Sequence, residues 1–132
     1  MAEPNVAASE PDNNPLPPAI RGIRAQEALA RFAGDVQRYQ HWLAEFTSHA
    51  PAVTTQVRDA ISKGTREAAL GLVHSLKGRA GMLGMVEIHS IALSLEMSLK
   101  NREPTAFWLD ELERTVAEMT RDIATALDKS GN

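Results

Sequence analysis

Cysteine is absent from this 132-residue chain. Disulfide scaffolds, thiol catalysis and Cys-based zinc sites are thereby excluded. Aromatic residues are scarce, at 5%, so a core must be mostly aliphatic. No apolar run approaches the roughly 20 residues needed to span a bilayer. A basic excess is missing too: 14 Lys plus Arg stand against 17 Asp plus Glu, for a net charge of −3. A nucleic-acid platform needs a basic face, so that class is set aside. The opening stretch MAEPNVAASEPDNNPLPP is acidic and lacks a hydrophobic segment, so it does not read as a secretory signal. No glycine-rich nucleotide cradle is present, and autokinase activity is not expected. The expectation is a soluble cytoplasmic monomer with no direct membrane contact.

Five of the seven prolines fall in residues 1–19, which therefore read as a disordered tail or linker. Residues 20–128 read as one domain and 129–132 as a disordered end. Across the domain, apolar residues recur at helical spacing, broken by stop signals. A short helix is predicted over about 23–33, with Leu29 and Phe32 inward. Gly34 suits its C-terminal cap and Asp35 the next N-terminal cap. A long stripe then runs through Tyr39, Leu43, Phe46, Ala50, Val53 and Val57. It keeps phase across Pro51, which predicts one long kinked helix. Lys63-Gly64-Thr65 reads as stop and restart, with helices following over about 66–83, 86–100 and 105 onward. The last carries Leu109, Leu112, Val116, Met119, Ile123 and Ala126 at bundle spacing. The fold class is all-α: an antiparallel up-and-down four-helix bundle with a short additional N-terminal helix.

The informative segment is His74-Ser75-Leu76-Lys77-Gly78-Arg79-Ala80-Gly81-Met82-Leu83-Gly84-Met85. On a helical wheel Ala69, Leu72, Leu76, Ala80 and Leu83 cluster on one side. His74 points away from them and should be exposed. Gly71, Gly78 and Gly81 share its outer face. Each glycine in a helix interior costs about 0.8–1 kcal/mol relative to alanine. Three together cost roughly 2–3 kcal/mol, against a typical domain stability of about 5–15 kcal/mol. Such a helix is not optimised for stability alone; bare backbone clears a shelf for another surface. Lys77 sits one turn beyond His74, and its ammonium favours negative charge near the ring. A neutral imidazole is a covalent nucleophile, and phosphoryl transfer needs positioning and charge stabilisation above all. Residue types alone leave two readings open, a phosphoryl acceptor or a plain surface histidine with glycines that serve helix packing.

The segment resembles the signature of histidine-containing phosphotransfer domains. In that family's pattern, His is followed by Leu or Ile at the second position, then Lys-Gly, a small residue and a closing aliphatic-Gly pair; every defined position is met here. The run Leu29-Ala30-Arg31-Phe32-Ala33-Gly34-Asp35 with Tyr39, Leu43 and Phe46 resembles the family's opening. Leu93-Ser94-Leu95-Glu96 resembles the segment that follows its active helix. The likeness covers about residues 23–127. It implies a four-helix bundle whose exposed His74 takes a phosphoryl group on the distal ring nitrogen from a receiver-domain aspartate and passes it to another receiver. Lys77 would be the neighbouring cation, and Gly78 would give access to the ring. The partners implied are receiver domains of response regulators or hybrid sensor kinases. No cofactor is expected on this chain, with Mg²⁺ on the partner receiver. The chain would be free-standing or the C-terminal cytoplasmic part of a membrane sensor kinase.

A docking surface is expected around Gly71, Gly81, Met82, Met85 and Arg79, beside part of the preceding helix. Arg79 is variable in the family and lies nearer the core edge on the wheel. Flexible methionine thioethers suit adaptable surfaces and equally fill gaps in a bundle, so Met82 and Met85 carry both readings. His41, Glu45 and His49 recur every four residues, but three ligands spread over about 12 Å cannot hold one ion; no metal site is expected. Trp42 and Trp108 read as core or core-edge packing, and His89 as structural or exposed. Two alternatives remain: a domain phosphorylated directly by an ATP-binding kinase domain, and a non-catalytic helical adaptor.

Overall fold

The structure, a computed structural model, describes residues 20–130. The expected tail at 1–19 and residues 131–132 lie outside the described residues. Five helices follow in order: α1 (Ala25–Arg31), α2 (Val36–Ser62), α3 (Arg66–Met82), α4 (Val86–Lys100) and α5 (Ala106–Ser130). The last runs past the domain end expected at 128. Helix α3 packs between α2 and α4, and α5 closes the ring against both. Short connections make sequential helices antiparallel neighbours. The result is the expected four-helix bundle with one short helix in front. No helix among the described residues is long and apolar enough to cross a membrane.

Local chemistry explains the element ends. The Asp35 carboxylate accepts the Arg38 backbone N–H at 3.0 Å and caps α2. Gly34, Gly64 and Gly84 take positive φ at the stops after α1, α2 and α3. Helix α2 is continuous through Pro51. Just beyond it the buried position is Thr54 rather than the expected Val53, which is half-buried. The Thr54 hydroxyl donates to the Pro51 carbonyl at 2.7 Å, so its burial leaves no unpaired group. All six apolar positions anticipated on α5 are buried.

The N-terminal segment is fastened to the end of α3. An isolated antiparallel bridge joins Ile23 to Met85. Arg24 N–H donates to the Gly84 carbonyl at 2.7 Å, and Val86 N–H to that of Gly22 at 2.9 Å. A Cβ on Gly84 would stand 2.6 Å from the Arg24 carbonyl oxygen, so only glycine permits this approach. Arg31 Nη1 donates to the carbonyls of Gly81 and Met82 at 3.0 and 3.1 Å. Those are carbonyls a helix C-terminus leaves without intrahelical partners. The buried Tyr39 hydroxyl donates to the Leu83 carbonyl at 2.8 Å, and its ring meets Phe32 edge-on. The C-terminal end of α3 is thus held from α1 and α2.

Candidate phosphoryl-acceptor site

The buried stripe of α3 is Ala69, Val73, Leu76 and Ala80, continued by Leu83 at its C-terminal cap. Val73 replaces the expected Leu72, which sits half-buried at the edge. This small rotation keeps the opposite face outward. The His74 side chain is 70% exposed, as the wheel predicts. Gly71 and Gly78 have no atom within 4 Å of where a Cβ would stand, so the shelf beside the ring is open there.

The ring is not isolated. Its Nδ1 lies 2.9 Å from Glu96 Oε2, and the other oxygen, Oε1, accepts from Lys77 Nζ at 2.7 Å. The Glu96 side chain is only 4% exposed, and Lys100 Nζ adds a second cation 3.9 Å from Oε2. A carboxylate buried this far is strongly disfavoured unless paired. The hydrogen bond from Lys77 holds its carboxyl below the usual carboxylate range against the opposing effect of burial, helped by the His74 N–H and the charge of Lys100. An ionised carboxylate can only accept hydrogen bonds. The Nδ1 atom must therefore be the donor, so in the neutral ring the lone pair lies on Nε2.

Several anticipated positions need correction. Lys77 does not reach back to the ring; it is three-quarters covered and committed to Glu96, so it acts on His74 through that carboxylate. Met85 is fully buried, because the Ile23 bridge covers the α3–α4 turn, and it cannot belong to a docking face. Gly81 is half-covered: a Cβ there would stand 3.0 Å from His89 Cδ2, so this glycine serves the packing of α4 on α3. Arg79 is exposed rather than at the core edge. Met82 is exposed at 53%, and Trp42, expected in or beside the core, is exposed at 45%. Trp108 packs against the core.

Glu96 is the site residue that the helical wheel of α3 could not supply. The signal was a charge within an apolar stripe: Ala92, Glu96 and Leu99 share one buried face of α4.

Among known proteins, neither a curated protein nor a solved structure matches the chain. The Hpt domain family matches residues 41–128, a span that contains His74, Lys77 and Glu96. The fold, the exposed imidazole and this match agree: the chain belongs to the Hpt domain family, whose members carry out histidine phosphotransfer in phosphorelays.

Proposed function

We propose that His74 is the phosphoryl carrier, taking the group from a receiver-domain aspartyl phosphate and giving it to a second receiver aspartate. The observation that carries this reading is the hydrogen bond between Glu96 and the exposed His74 ring, which makes Nδ1 the donor and puts the lone pair of the neutral ring on Nε2. In the forward step the Nε2 lone pair attacks phosphorus. An N–P bond forms, and the P–O bond to the aspartate breaks with its electron pair on the departing carboxylate. The Nδ1 proton stays in place, so the product ring carries a positive charge. Glu96 balances that charge, while Lys77 and Lys100 keep Glu96 ionised. The reverse step uses the same atoms. Gly71 and Gly78 give the receiver close access to the ring. Mg²⁺ would be held by the receiver, which belongs to a response regulator or a hybrid sensor kinase.

The experiment incubates the chain with a phosphorylated receiver domain and follows radiolabel. The expected result is an acid-labile, base-stable label on the parent protein and none on His74→Gln. Label of that stability on His74→Gln would remove His74 from the role. Incubation with an ATP-binding kinase core that lacks a receiver tests the donor; rapid labelling there would replace the receiver as source.

A further inference from the structure

A hollow of about 740 Å³ opens between α1, α2 and α3, on the α2 side of the His74 shelf. Its wall includes Phe32, Phe46 and Leu83, with the exposed side chains of Trp42 and Met82 on it. Arg31 and Met82 also line a second depression, whose wall includes Lys77, Gly78 and Gly81. The hollow therefore adjoins the glycine face of α3 at these two residues.

Its charge runs against that of the molecule. Three guanidiniums, Arg31, Arg38 and Arg79, line it together with one carboxylate, Glu45, in a chain whose net charge is −3. Arg31 is engaged by the carbonyls of Gly81 and Met82, and Glu45 faces His49 at 3.6 Å. Arg38 and Arg79 form no side-chain hydrogen bond or ion pair among the described residues, unlike Arg58 and Arg114, which are gripped by acids elsewhere.

We infer that the hollow selects the partner receiver by taking an acidic surface segment that carries one bulky apolar side chain. The apolar group lies against Trp42 and Met82, and its acidic neighbours meet Arg38 and Arg79. This rests on the receiver-to-His74 reading above and adds the chemistry that chooses among receivers. Aromatic and arginine side chains together are what transient interfaces concentrate their energy in. Opposite charge at the rim sets encounter rate and excludes wrong partners.

The test uses a panel of receiver domains that differ in the charge around their phosphorylated aspartate, each loaded with acetyl phosphate. Transfer to the full chain is compared with Arg38→Glu and Trp42→Ala. Each variant is also labelled with phosphoramidate, a small phosphoryl donor to imidazole, and receiver transfer is expressed relative to that labelling. Acidic-faced receivers should transfer fastest, with the advantage shrinking as salt rises. Each variant should lower kcat/KM by about tenfold, through KM rather than the maximal rate. In a Trp108→Phe background the emission of Trp42 should shift on receiver binding. Equal ratios for parent and variants would overturn the inference and leave His74 as carrier. A dimer in the ultracentrifuge that Trp42→Ala abolishes would give the hollow to a second copy instead, and also overturn it. If no receiver labels His74 at all, the shuttle reading itself falls, and the hollow loses its occupant with it.

Discussion

Glu96 on α4 holds the His74 imidazole on α3 through a 2.9 Å hydrogen bond, across 22 positions of sequence. The bond decides which nitrogen keeps the proton. Substitution Glu96→Gln keeps the size and removes the charge, and its amide can face the ring with either a donor or an acceptor. Phosphotransfer should slow by about 10- to 100-fold, the range for carboxylates that orient metal-ligating histidines. Nitrogen NMR of the ring should show a single Nδ1–H form in the parent and a mixture in the variant. An unchanged tautomer and rate would remove Glu96 from the mechanism.

The same carboxylate gives a pH signature. Its folded-state pKa lies below the ordinary value, chiefly through the Lys77 hydrogen bond. The folded state therefore binds this proton later than the unfolded chain as pH falls. The stabilisation is complete above the normal carboxylate range and disappears as pH drops through the depressed value. Urea unfolding across the acid range should show stability falling with pH in the parent and a shallower fall in Glu96→Gln.

Tyr39 makes the opposite prediction in alkali. Burial pushes its phenol up to about 12, so the folded protein keeps a proton that the unfolded chain gives up near pH 10. Stability is complete below that value and declines as pH rises toward 12, by an amount on the order of 2–3 kcal/mol. Tyr39→Phe should flatten the alkaline decline. It should also cost about 1–3 kcal/mol at neutral pH, because the Leu83 carbonyl loses its donor.

The glycines of α3 and its end should separate by substitution. Gly71 and Gly78 have open space at the Cβ position, so alanine at either should raise stability by about 0.5–1 kcal/mol. Leucine at Gly78 should leave the helix content intact and slow transfer by covering the ring; a normal rate would refute the shelf. Gly84→Ala should be strongly destabilising, since its Cβ would meet the Arg24 carbonyl at 2.6 Å with φ at +79°. Circular dichroism and urea midpoints distinguish the three cases.

What the chain by itself determined is whatever local period and capping decide. Apolar spacing on α5, the Asp35 cap and the glycine stops depend on residues within a few positions of one another, so they are legible along the sequence. The exposure of His74 follows for the same reason, because one helix's own stripe points it outward. Contacts between distant segments were beyond that reach. Whether Met85 faced a partner or the core depended on a segment sixty-odd residues upstream, where Ile23 closes over it. Lys77 has an ammonium in either case; only the packing of α4 on α3 placed a buried carboxylate where it would bind that ammonium in preference to the ring. The period of one helix fixes which way a side chain points, but the tautomer and charge of the imidazole come from a neighbouring helix, and only the folded bundle brings that helix alongside.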